Sequence, residues 1–211
     1  MKKLVIAGAI AAFGLLSAQK NTLLVGGNIS YDNTVKKNFS TAGDLKTDNF
    51  DFSPMIGYQF DDHFTAGVKF GVGSSKQDYN ETYFNGMNMV ESITNIKENS
   101  FTYGVFGRYT MPLSETFSVF GDLDVLFNNS KSTISAPGYS YSSTSKSTGF
   151  GVAFTPNLFI NFKNSFGLNF NIGGISYQSE KIKDSDMKTN TFGFGFGKGV
   201  TVGISKNFGL K

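Results

Sequence analysis

The stretch TFGFGFGKGVTVGISKNF, residues 191–208, rotates large apolar side chains with glycine or small polar ones. Successive side chains of a strand point to opposite faces, so Phe192, Phe194, Phe196, Val200, Val202 and Ile204 share one face. Gly193, Gly195, Gly197, Gly199, Thr201, Gly203 and Ser205 share the other. One face is bulky and greasy, and the opposite one is nearly bare. A soluble core strand has no obvious use for that bare face. The 23 Phe and 25 Gly of the 211 residues say that the pattern is not confined to one strand.

Seven further segments alternate in the same way. They are 22–31, 49–60, 64–73, 101–111, 116–128, 150–162 and 166–174. In 64–73, for example, Phe64, Ala66, Val68, Phe70 and Val72 oppose Thr65, Gly67, Lys69 and Gly71. The connections fall into two kinds. The stretches 61–63, 112–115 and 163–165 are tight hairpin turns. The stretches 32–48, 74–98, 129–147 and 177–190 are rich in Ser, Asn, Thr, Lys and Asp and are expected to be long loops. Short turns at one end and long loops at the other are the asymmetry of an outer-membrane barrel. An even strand count brings both chain ends to the short-turn side. Segment 52–73 also aligns without gaps on 154–175, matching Phe52, Pro54, Phe60, Phe64 and Gly71 with Phe154, Pro156, Phe162, Phe166 and Gly173. Pro54 and Pro156 each remove a ladder donor, so a bulge or irregularity is expected beside each.

Alternation alone does not say which face is outside, since a soluble eight-stranded barrel can hold a ligand in an apolar interior. Volume decides. Eight strands enclose a space that side chains just fill, and dozens of large apolar groups do not fit there. The apolar face therefore meets lipid, and the fold class is all-β: an eight-stranded antiparallel up-and-down transmembrane β-barrel. Closure is required, because an open edge in hydrocarbon strands backbone hydrogen-bonding groups without partners. The charges obey this orientation. Asp51, Lys69, Arg108, Asp122 and Asp124 all fall on the glycine-bearing face, as lumen ion-pair candidates. Lys198 and Lys206 share parity with the Phe face and are expected at the boundaries, or at a bulge.

The first residues differ from the rest. Lys2 and Lys3 precede an apolar stretch from Leu4 to Leu16, then Ser17-Ala18 before Gln19. That order is a secretory signal cut after Ala18, leaving residues 19–211 as the barrel domain. No later apolar run approaches the roughly 20 residues of a membrane helix. A net charge of +3 with interspersed signs makes no case for nucleic acid. Zero Cys excludes disulfides and thiolate metal sites.

The chain resembles the small outer-membrane β-barrel domain proteins of Gram-negative bacteria, OmpX-like and OmpA-barrel-like. The residues that carry the resemblance are SPMIGYQF (53–60) and GVFGRYTM (104–111), each before a tight turn, and the closing VTVGISKNF (200–208). The resemblance implies residence in the outer membrane among its lipids. It also implies insertion by the barrel-assembly machinery, which reads a closing aromatic, here Phe208.

No catalytic, cofactor or metal site is expected. The single histidine, His63, sits in a short turn with Asp61 and Asp62, at the wrong end for outer-leaflet lipid chemistry. The glycines of 193–199 and the GVGSSK of 71–76 lack the strand–turn–helix context of a phosphate loop. Asp184 and Asp186 read as a solvated loop, and the Tyr- and Ser-rich 128–148 as a hydrophilic loop that can also serve ligand contact. Arg108 with Asp122 and Asp124 reads as an ion-pair plug, with a selectivity gate as the alternative. The expected function is a non-enzymatic envelope protein with a structural or surface-contact role through four outer loops and an unidentified surface ligand. The alternatives are a small-solute porin-like channel and, less well supported, a lipid-modifying enzyme.

Overall fold

The alternating segments form eight strands in the computed structural model. They are β1 (Thr22–Ser40), β2 (Gly43–Gln59), β3 (Phe64–Phe84), β4 (Met89–Pro112), β5 (Phe117–Ala136), β6 (Tyr141–Lys163), β7 (Phe166–Ile182) and β8 (Lys188–Gly209). The structure describes residues 21–40, 43–84, 87–136, 141–163 and 166–209. The expected leader, residues 164–165 of the third short turn, Tyr139 and the side chain of Lys198 lie outside the described residues and side chains. Each strand pairs antiparallel with the next, and β8 returns to β1 to close the barrel.

The orientation is inside out relative to a soluble protein. Ile29, Phe64, Val105, Leu123, Phe162, Val202 and Ile204 are among many large apolar side chains left exposed on the outer wall. Among the described residues the buried apolar ones are few: Leu24, Met55, Phe106, Phe120 and Ala136. Arg108, Asp122, Asp124 and Asn169 are buried instead. The outer wall is banded. On β5 the outward aromatics Phe117 and Phe127 stand ten residues apart, with Val119, Leu123 and Val125 between them. That spacing matches the ~9–11 residues a tilted strand needs to cross the hydrocarbon, with aromatic belts at both boundaries. At the short-turn end, Tyr58 stands edge-on to Phe60 at 5.0 Å and Phe64 to Tyr109 at 4.9 Å.

Two expectations are corrected. The stretches 32–48, 74–98, 129–147 and 177–190 are not long loops. Their ladders continue through Val35↔Lys46, Phe84↔Met89, Ala136↔Tyr141 and Lys181↔Lys188, so the strands run on as hairpins far beyond the outer aromatic belt. Beyond the hydrocarbon both faces meet water, so the apolar alternation ends while Thr, Val, Ile and Tyr still favour the extended backbone. The second correction concerns Pro54. Pro156 does sit in a register shift between β6 and β7. Beside Pro54, however, no bulge forms: the β1 ladder is unbroken, and the irregularity is confined to Ser53 and Pro54 dropping out of the β3 ladder without shifting it.

The shift beside Pro156 also switches the face of β7. Phe166, Phe170 and Ile172 face lipid, and so do Ile175 and Tyr177, which have the opposite parity. The switch falls at Gly173, with φ of +124°, and Gly174, where β7 carries one residue more than β6. On the other side, residues 197–200 of β8 bulge opposite Ile172, with Gly197 at φ +73°. The β1–β8 seam is the shortest ladder, six pairs from Thr22↔Gly209 to Gly27↔Ile204.

Candidate functional site

The inward faces of the first five strands converge on one cluster near mid-barrel. Arg108 on β4 lies directly across the ladder from Asp122 on β5. Its Nε donates to Asp122 Oδ1 at 2.7 Å and its Nη2 to Oδ2 at 2.9 Å, a bidentate pair. Lys69 on β3 reaches the same carboxylate at 3.1 Å and Asp124 Oδ1 at 2.6 Å. Two cations and two carboxylates thus form a neutral set, which is what burial of charge at this depth requires.

Aromatic rings complete the cluster. The Arg108 guanidinium lies 3.7 Å from the Phe120 ring centroid, and Lys69 Nζ is 5.0 Å from that of Phe106. Met55 Sδ stands 3.8 Å from Arg108 Nη2, and Leu24, Met55 and Phe106 pack together. Glycine makes room for this. Gly57, Gly67 and Phe106 follow one another across β2, β3 and β4. The Phe106 ring lies over both glycines: a methyl on Gly67 would come within 2.7 Å of it and also run into the β2 backbone. The rotation of large and minute residues therefore serves both walls, lipid outside and a few large plug residues inside.

The cluster divides the lumen. Toward the short turns lies a chamber of about 270 Å³ lined by Gln59, Thr65, Asn161 and Asn207. Toward the outer side lies one of about 460 Å³ lined by Asp51, Lys69, Asn157, Asn171 and Thr201. Arg108 and Phe120 border both chambers and form the partition. The wall contributed by β6, β7 and β8 is uncharged around the outer chamber, with Thr155, Asn157, Asn169, Asn171 and Thr201.

Of the five lumen candidates, the structure brings together Lys69, Arg108, Asp122 and Asp124. Asp51 is a correction. It faces the outer chamber but accepts from Ser53 Oγ at 2.5 Å and joins no cation among the described residues. It sits well toward the outer end, opposite Gly73 on β3, whereas Lys69 pairs with Gly104 lower down the wall. Sequence reasoning missed the role of Leu24, Met55 and Phe120 in the partition. The available signal was parity, since an apolar residue on the glycine-bearing face must fill the lumen. His63 lies in the β2–β3 turn, its Nδ1 2.8 Å from Thr110 O and its ring stacked on Tyr109 at 5.6 Å. Phe208 pairs with Leu23 across the seam, with Lys206 Nζ 5.0 Å from its ring centroid. Among the described residues no group of three His, Cys, Asp or Glu could hold a metal ion.

A family model described as outer membrane protein beta-barrel domain matches residues 6–198. The chain belongs to that family. This outer-membrane barrel is similar in structure to Ail, the attachment invasion locus protein of Yersinia pestis, solved in complex with the heparin analogue sucrose octasulfate. The identity is 17%, covering 92% of this chain and 100% of that one, with a TM-score of 0.39. It is also similar to Neisserial surface protein A at 14% identity, covering 88% and 97%, with a TM-score of 0.41. No curated protein matches it. Family membership and the lipid-facing outer wall place the barrel in the outer membrane.

Proposed function

We propose that this barrel is a closed, non-enzymatic membrane anchor that holds four β-hairpins upright above the outer membrane for structural support or surface contact. The observation that carries the reading is the length of the paired hairpins. The β3–β4 ladder runs unbroken from Phe64↔Tyr109 to Phe84↔Met89, about twice the length needed to cross. A transport pore gains nothing from such extensions, whereas a surface-contact protein gains reach and rigidity.

The neutral Lys69–Arg108–Asp122–Asp124 set supports a closed lumen. Its four charges satisfy one another at the partition. The environment of His63 supports the absence of lipid-modifying chemistry, because its ring is committed to Thr110 and Tyr109 at the short-turn end. Residues 1–18 serve as the export leader in this reading. Phe208, on the last strand, is the aromatic presented to the barrel-assembly machinery. Recording from planar bilayers tests the closed state: the purified protein is expected to give no steady openings. Large, long-lived conductance steps, with matching liposome swelling in small sugars, would instead establish the porin reading.

A further inference from the structure

The outer ends of the strands carry lysines in an unusual register. Lys76 lies directly across from Lys97, Lys131 from Lys146, and Lys181 from Lys188. Like charges directly opposite each other on one face of a sheet repel and destabilise the pairing, and here the arrangement occurs three times. The pairs adjoin one another. Lys131 lies across from Asn99, two residues from Lys97, and Lys181 lies across from Thr148, two residues from Lys146. Together they make one continuous belt around β3–β8.

All six are exposed, and their parity with Phe101, Phe127, Phe150, Tyr177 and Phe192 puts them on the outer wall. Their height is uniform. Lys97, Lys131, Lys146, Lys181 and Lys188 each stand four residues beyond the outermost of those aromatics on their own strand. Four residues of a tilted strand rise about 10 Å above the hydrocarbon boundary, the depth of lipid headgroups. Lys76 has Asp78 at 2.8 Å. The other five have no carboxylate partner among the described residues. On β5–β8 the acidic residues are Asp122, Asp124 and Glu180, and all three face the lumen, Glu180 through Ser147 Oγ.

We infer that the belt is a binding surface for the phosphate groups of outer-leaflet lipids. Clustered anionic phosphates offset the repulsion that the register builds in, and the lipid-facing wall directly below supplies the acyl-chain half of the same ligand. The inference goes beyond the surface-contact reading and does not need it, since it requires only that the Phe-bearing wall meets lipid.

The test compares the wild type with K97Q/K131Q/K146Q/K181Q/K188Q, each refolded into vesicles of phosphatidylcholine alone, with bis-phosphorylated lipid A, or with the same lipid A dephosphorylated. The midpoint of heat-induced loss of the compact gel band is read in each. For the wild type, phosphorylated lipid A is expected to raise the midpoint by about 5 °C or more, and high salt to abolish the rise. The glutamine variant should match the wild type in phosphatidylcholine and show no rise. The narrower K131Q/K146Q is expected to lose part of it, and the five-fold Lys→Arg variant to keep it. An equal wild-type midpoint with and without the phosphates, or a full rise in the glutamine variant, would overturn the assignment. So would the same rise on adding soluble polyphosphate to phosphatidylcholine vesicles, which would give the belt to a soluble polyanion.

Discussion

Arg108 concentrates the energetics of the lumen in one side chain. It is buried, bonded twice to Asp122, and held against Phe120 and Met55. Removing one partner of a buried pair leaves the other charge without compensation, which costs about 3–5 kcal/mol, whereas replacing both with apolar groups is often neutral. Arg108→Ala is therefore expected to lower the urea midpoint in detergent micelles sharply, while Arg108→Met/Asp122→Leu recovers most of the loss. Equal midpoints for Arg108→Ala and the wild type would show that Lys69 alone satisfies Asp122. The inward placement of Arg108 follows from parity within its own strand. Its partner does not, because Asp122 and Asp124 share one face of β5 and only the β4–β5 register puts Asp122 directly opposite.

At the scale of the element, β7 shows how a strand corrects a mismatch between its two neighbours. Without an extra residue at 173–174, Ile175 and Tyr177 would point into the lumen. The bulge needs glycine at 173, where φ is +124° and a methyl group would collide with the Gly195 carbonyl. Gly173→Val is expected to cost about 1–3 kcal/mol, read as a lower yield of heat-modifiable folded barrel at a given urea concentration. Unchanged yield would show that the bulge can migrate along β7. This element was only half legible in the sequence. The alternation of 166–172 is plain, and Pro156 flags an irregularity on β6, but which strand takes the extra residue and so switches face has no cue except two adjacent glycines, in a chain where glycine is everywhere. The outer hairpins were illegible for another reason. Once both faces meet water, the period of two disappears from the hydropathy even though the ladder continues.

At the scale of the whole molecule, the Arg108–Phe120 partition separates the short-turn chamber from the outer one. Because Arg108 and Phe120 border both chambers, Arg108→Ser/Phe120→Ala/Asp122→Ser joins them while leaving the net charge of the interior unchanged. That variant is expected to conduct in planar bilayers, and the wild type to stay silent. Silence in both, with the variant folded by gel mobility, would place the barrier elsewhere, in the outer hairpins or the short turns. The seam belongs to this scale too, since only six register pairs join β1 to β8 and Phe208 lies among them.

By itself the sequence determined the wall: which residues face lipid, which face the lumen, where the short turns fall and that the sheet must close. Those properties follow from a side-chain period of two and from the volume that eight strands enclose, and both are local or additive. Tertiary structure alone decided which lumen charges meet, where the bulges fall and which lysines stand side by side. Lys69 and Asp122 are separated by 53 positions along the chain, and such contacts depend on the relative slide of strands. A slide of two residues leaves every side chain on its own face, so alternation alone cannot detect it.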